Sequence, residues 1–213
     1  CYSHIINSDS VVYDIGAHTG ETSLIFSKHA AKHIHAFEPS IFNFEKLKKN
    51  TKHINNISTY DVAFFDKNYT CTTRFRDCNQ DSIQQDMEQQ IKYAVIEDFI
   101  NEKKIELPDF IKIDIEGMES ILLNTLKFIF KNKRPFIYVE IHAKPKELDV
   151  QNYIDCPHWI WPEDGGFNFN DLKNLNYSIF CEKNRLLNLD KDWNPDPGDH
   201  IGRLLFPNEK LTL

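Results

Sequence analysis

The chain has 213 residues, 41% of them hydrophobic and 13% aromatic, with 16 Phe; that is enough to bury a real core, and it excludes an intrinsically disordered chain. Its 25 Lys and Arg against 32 Asp and Glu give a formal charge of −7, so long-range repulsion of a polyanion argues against a nucleic-acid partner. No apolar run approaches the roughly 18 residues of a bilayer span and no signal-like segment opens the chain, so a soluble protein without a membrane span is expected.

In chain order, Val11 to Ile15 is a β-branched run closed by glycine, and Thr22 to Ala31 follows with helical apolar spacing. Ile34 to Phe37 is the next predicted strand, stopped by Glu38-Pro39. Ser40 then stands as the cap of a helix running through Phe44, Leu47 and Asn50. A third strand is predicted from Ser58 to Phe65, and 66–90 reads as a polar loop or insertion over one end of the sheet. Phe110 to Ile115 and Phe136 to Ile141 are predicted as the fourth and fifth strands, joined by one amphipathic helix through Ile121, Leu122, Leu126 and Phe130. The segment 144–170, rich in Pro, Trp and Gly, reads as an excursion before a final pair of strands, Tyr177 to Cys181 and Ile201 to Phe206. Strands alternating with helices imply parallel pairing and a doubly wound α/β sheet. The organisation expected is a single domain over 1–213, with a cofactor-binding core at 10–142 and an acceptor-side excursion plus final hairpin at 143–213.

The five cysteines include no Cys-x-x-Cys pair, which removes zinc-ribbon and thioredoxin readings; a reducing, cytoplasmic location is expected. The first residue is Cys1 rather than Met, which suits a piece of a longer, multidomain polypeptide.

The first strand ends in Asp14-Ile15-Gly16-Ala17-His18-Thr19-Gly20-Glu21. In an open parallel sheet ligands bind beyond the carboxyl ends of the strands, so this turn stands where a cofactor would sit. Gly16 permits a tight turn and close backbone approach, and Gly20 opens the next helix. Glu38 stands roughly 20 residues beyond the turn, at the end of the second strand, where a carboxylate can accept both hydroxyl protons of an adenosine ribose. A dinucleotide site would need a closely spaced glycine pair to receive a pyrophosphate, and Glu21 would set a negative charge beside it. A cofactor without phosphate and with an amino-acid tail fits better, which is S-adenosylmethionine, with Asp14 and backbone groups at its ammonium and carboxylate ends. The cofactor residues expected are Asp14, Gly16, Ala17, His18, Thr19, Gly20, Glu21, Glu38, Pro39, Ser40, Ala63 and Asp114. A ligand-free glycine turn is the plainer alternative.

Four blocks extend the pattern: Val11 to Thr22, Ala36 to Ser40 with Asn43 to Asn50, Ile111 to Glu119, and Arg134 to His142. Together they resemble the FkbM-type family of S-adenosylmethionine-dependent methyltransferases. The resemblance implies the class I methyltransferase (Rossmann-like) fold, a mostly parallel seven-stranded sheet with an antiparallel last hairpin. It also implies O-methylation, commonly of a hydroxyl on a sugar, glycolipid or polyketide. His18 departs from the Asn more usual there. A third-strand acid for the adenine amino group is not clearly placed, Asp61, Ala63 and Asp66 being nearest.

Methyl transfer needs the acceptor oxygen held on the methyl axis and a base for its proton. The carboxyl ends of the fourth and fifth strands carry Asp114, Glu116, Glu140 and His142 as catalytic candidates, Asp114 and His142 ranking first. Glu116 and Glu119 equally suit the positive end of a helix dipole. Lys112 reads as a partner for a neighbouring carboxylate. Asp114, Glu140 and His142 are also a donor set suited to magnesium or manganese. His29, His33 and His35 straddle a helix end and a strand, and read as surface imidazoles. His158, Trp159 and Trp161 are the candidate sugar-binding residues, since alternation in an extended segment puts both rings on one side; packing onto the sheet would explain them equally. Asp192, Asp196, Asp199 and His200 line a polar pocket or decorate a loop.

The expectation is therefore an S-adenosylmethionine-dependent O-methyltransferase with a carbohydrate acceptor, compatible with fusion to a glycosyltransferase module. The alternatives are a non-catalytic glycan- or partner-binding module on a degenerate methyltransferase fold, and a nicotinamide-dependent oxidoreductase.

Overall fold

A computed structural model describes residues 5–29, 31–75, 87–116, 118–142, 177–181 and 200–207. Strands β1 (Val11–Ile15), β2 (His33–Phe37) and β3 (Ile57–Tyr60) alternate with helices α1 (Glu21–Lys28) and α2 (Ile41–Thr51). Next come β4 (Ala63–Phe64), β5 (Tyr69–Phe75), β6 (Met87–Ala94) and α3 (Ile96–Lys103). The described residues continue with β7 (Phe110–Ile113), α4 (Glu119–Thr125), α5 (Lys127–Asn132), β8 (Phe136–His142), β9 (Tyr177–Cys181) and β10 (His200–Pro207).

The main sheet has the order β3-β2-β1-β7-β8-β10-β9. Neighbours from β3 to β8 are parallel, whereas β10 runs antiparallel to both β8 and β9. This is a mostly parallel α/β sheet of the Rossmann-like methyltransferase kind, with the expected antiparallel final pair. Chain order reverses between β1 and β7, which places the switch point at their carboxyl ends.

All five residues of β1 are buried because helices cover both faces of the sheet. Val11, Tyr13 and Ile15 pack with Ile111, Ile113, Ile137 and Val139 against α3, α4 and α5. Val12, Ile34 and Phe110 meet Phe26 of α1, and Ala36 meets Leu47 of α2 on that same opposite face. Period-two alternation thus sends Asp14, an even position of β1, to the face covered by α1 and α2.

Several boundaries differ from those expected. The third strand splits: β3 stops at Tyr60, whose carbonyl accepts the Glu38 N–H, and the chain leaves to form β4 in a second sheet. The segment predicted as loop carries β5 and β6, which pair antiparallel, with β4 parallel to β6 on the other side. Phe65, just after β4, with Ile91 and Tyr93 of β6, packs on Met118 and Ile121 at the start of α4. Gln89 of β6 bonds the first residue of α2. The small sheet therefore spans the carboxyl end of the main one, from α2 to α4. Helix α3 had no sequence expectation, and it buries Ile96, Phe99 and Ile100.

The single predicted helix between β7 and β8 is two, α4 and α5, broken at Leu126. The Thr125 hydroxyl donates to the Leu122 carbonyl at 2.7 Å, a bond that competes with the helix ladder. Ser40 precedes α2 but its side chain caps no helix N–H; the Gln89 carbonyl oxygen accepts from Ile41 N instead, at 2.8 Å. Among the described residues, no helix is long and apolar enough to cross a membrane.

Candidate functional site

The turn after β1 has Gly16 at φ 78° and Gly20 at φ 91°, both in the left-handed region. A Cβ on Gly16 would stand 1.7 Å from the Asp114 carbonyl oxygen, so only glycine lets the ends of β1 and β7 approach. Gly16 and Ala17 donate their N–H groups to the Phe37 carbonyl at 3.0 and 2.9 Å, and Asp114 N donates to Ile15 O at 3.1 Å. Backbone bonds thus join the three strand ends. His18 also has a positive φ, 50°, and is exposed, as is Glu21. Thr19 is half-buried, and its carbonyl accepts from the Asn50 side chain of α2.

Glu38 joins the two loops of the site. Its Oε2 accepts His18 N–H at 2.9 Å and its Oε1 accepts Ser40 N–H at 2.9 Å. The residue is buried, and burial raises its carboxyl above the ordinary 4.5, with the Ser40 and His18 N–H bonds pulling the other way. One carboxylate thus anchors the glycine turn to the start of α2. The Asn43 side chain also bonds this carboxylate, and a carboxylate has about four acceptor positions, so lone-pair capacity remains for a further donor. Pro39 is half-buried and Ser40 buried beside it.

Beneath the turn lies a charged cluster. Asp14 and Lys112 are direct cross-strand partners, and Lys112 follows the same alternation onto the α1 face. Lys112 Nζ donates to Gly16 O at 2.7 Å and stands 3.2 Å from Asp114 Oδ2 and 3.5 Å from Asp14 Oδ1. Burial alone would lower the lysine, but the Asp14 and Asp114 charges and hydrogen bonds outweigh it and the ammonium is held above its ordinary range. Ser23 of α1 donates to Asp14 Oδ2 at 2.6 Å. Asp14 is fully buried, with no exposed surface, and supports the turn from below. Ser23 escaped the sequence reading. Its signal was a small hydroxyl on the inward stripe of α1 shared with Phe26.

The strand predicted to reach Ile115 stops at Ile113, which puts Asp114 and Glu116 in the loop above the sheet. Asp114 keeps 30% of its side chain exposed. Glu116 is exposed with φ 57°, and Glu119 is buried with its Oε1 3.4 Å from Ile115 N, at the start of α4. Glu140 is half-buried on β8, and Ala63 is half-buried on β4. His142 ends β8 in register with His200 of β10; its side chain lies outside the described residues. His158, Trp159 and Trp161, and the acids at 192, 196 and 199, also lie outside them.

His33 and His35 differ from the surface imidazoles expected. Two apart on β2, they share a face, with ring centroids 4.6 Å apart. His33 Nε2 pairs with Ser58 Oγ at 2.9 Å, and His35 Nδ1 with Tyr60 OH at 3.0 Å. His35 is buried, and burial followed by the His33 charge lowers it to about 4. Among the described residues, no group of three or more His, Cys, Asp or Glu is placed to hold a metal ion.

No curated protein matches the chain. Solved structures share the fold. A methyltransferase FkbM from Methylobacillus flagellatus aligns over 93% of this chain at TM-score 0.56 and 18% identity, but over only 44% of its own length, so the chain spans less than half of that relative. A Streptococcus mutans protein in complex with SAH aligns over 95% of this chain and 91% of its own, at TM-score 0.51 and 11% identity. Aeropyrum pernix fibrillarin with bound S-adenosyl-L-methionine gives TM-score 0.51 at 13% identity, over 94% and 67%. The family model of the methyltransferase FkbM domain matches residues 14–169, from the buried Asp14 past the end of β8. The chain belongs to the FkbM methyltransferase family.

Proposed function

We propose that the protein is an S-adenosylmethionine-dependent O-methyltransferase whose acceptor is a carbohydrate hydroxyl. The observation that carries the cofactor reading is Glu38, whose two oxygens hold the glycine turn and the α2 start together beside the switch point. Gly16 supports the reading indirectly, since its missing Cβ lets the ends of β1 and β7 close together beneath the turn. Two structures of the same fold carry SAH or S-adenosyl-L-methionine.

S-adenosylmethionine, when bound, supplies an electrophilic methyl on a sulfonium. Around it, Glu38 accepts from ribose hydroxyls, and the turn at Gly16 to Thr19 lines the amino-acid tail. Asp14 and Asp114 against one Lys112 leave the cluster with one negative charge in excess, which favours a cationic ligand over it. Asp114 is fixed at Oδ2 by Lys112 and partly open, so it would orient the acceptor hydroxyl and hold its proton as a base. A positioned base of this kind contributes about 10²–10⁴-fold. The carbohydrate part rests on the family resemblance and on Trp159 and Trp161 in the sequence. Titration with S-adenosylhomocysteine tests the cofactor, and a sugar panel read for a single-methyl mass gain tests the acceptor. Binding without any methylated sugar would replace carbohydrate by another acceptor class.

A further inference from the structure

Gln89 stands outside everything above except the start of α2. It is 7% exposed, carried by β6, and its Oε1 accepts Ile41 N–H at 2.8 Å. Because that oxygen takes a backbone N–H, the orientation of the amide is settled and Nε2 is a donor. Nε2 is buried and has no hydrogen-bond partner among the described residues. A buried amide that satisfies one end and strands the other is the kind of group native structures avoid unless something else meets it. Oε1 and Nε2 share one carbon, so the stranded N–H2 group lies at the α2 start too. That helix has 11 residues, and its first turn follows directly on Glu38-Pro39-Ser40. Ile41, at the same spot, is 55% exposed, one of two large apolar side chains so open among the described residues.

We propose that Gln89 is a specificity-determining residue for the cofactor's base, donating its free amide N–H to a ring nitrogen of adenine while Ile41 meets the apolar face. This rests on the reading of the site as an S-adenosylmethionine cradle. The chemistry converges on a purine: a flat apolar face for Ile41, in-plane acceptors for Nε2, and a ribose within reach of Glu38. The exocyclic amine of adenine is itself a donor and does not match Nε2, so the contact goes to a ring nitrogen. The small sheet then has a function, bringing one side chain from outside the main sheet to read the base.

The test is calorimetric, using S-adenosylhomocysteine and its 1-deaza, 3-deaza and 7-deaza analogues, each replacing one ring nitrogen by C–H. Wild type should bind one analogue about tenfold more weakly than the parent, the worth of one hydrogen bond. Gln89→Glu keeps the acceptor for Ile41 N–H and removes the donor. It should bind the parent about tenfold more weakly and no longer distinguish it from that analogue; its buried charge lowers the melting temperature, so the titration is run where the unfolding curve shows the variant folded. Equal binding of all four ligands by wild type overturns the proposal without any variant. A uniform loss by Gln89→Glu across all four, its discrimination intact, also overturns it and leaves Gln89 as a latch between β6 and α2. Failure of wild type to bind the parent would instead overturn the cofactor reading itself, a distinguishable outcome.

Discussion

Replacing Lys112 by Met removes the one cation shared by Asp14, Asp114 and the Gly16 carbonyl. Methionine has similar length and no charge, so packing is nearly kept while Asp14, with no exposed surface, loses its countercharge. Breaking one partner of a buried pair costs about 3–5 kcal/mol. For a domain of this size each kcal/mol lowers the melting temperature by roughly 2–4 °C, so a fall of about 6–20 °C is expected. Against a total stability of about 5–15 kcal/mol this is a large fraction, so the unfolding curves are read at low temperature. The double variant Lys112→Met with Asp14→Asn should recover much of the loss, because the fully buried carboxylate is no longer stranded and Asp114, 30% exposed, keeps contact with water. Thermal and urea unfolding of the four proteins in this cycle give the coupling energy. A Lys112→Met melting temperature within about 2 °C of wild type, or strict additivity in the cycle, would refute the account of the cluster as a mutually dependent pair.

Gly16→Ala should lose at least ~2 kcal/mol of stability and bind S-adenosylhomocysteine far more weakly, since its Cβ collides with backbone at 1.7 Å in a left-handed turn; unfolding and titration read both. His35 is held at about 4 against 6.5 unfolded, so its contribution is intact above pH 6.5 and is lost as pH falls towards 4, where the unfolded chain binds the proton first. The stability gap between wild type and His35→Phe should therefore narrow by up to about 3 kcal/mol on acidification, and a constant gap would contradict the burial argument. Burial raises Glu38 above 4.5, so affinity for S-adenosylhomocysteine should fall with acidification already above that value as the carboxylate protonates. Glu38→Gln should bind weakly with that acid-dependent fall abolished.

The central sheet was legible because its strands are near-continuous apolar runs between turn residues. Val11 to Ile15 and Tyr177 to Cys181 fall where the structure has β1 and β9. The small sheet was not, because polar residues run together in β5 (Thr72-Thr73-Arg74) and β6 (Glu88-Gln89-Gln90), so neither an apolar run nor a clean alternation stands out. Helix α3 escaped because its apolar residues Ile96, Phe99 and Ile100 follow the β6 apolar positions without a break. In the site, Glu38 was legible from its place after a strand, and Gly16 from the turn. Lys112 was legible as a carboxylate's partner, since it interrupts an apolar strand, but that Ser23 caps Asp14 was not, because that contact joins α1 to β1. Gln89 was hidden for the same reason: a glutamine in a polar stretch acquires meaning only when β6 is folded against α2.

Calorimetric titration of wild type and Glu38→Ala with S-adenosylhomocysteine tests the cofactor claim most directly. The account predicts micromolar binding of one molecule per chain to wild type, lost or severely weakened in the folded Glu38→Ala variant. No binding to wild type, or equal binding to both, would contradict the assignment of this turn and carboxylate as the cofactor cradle.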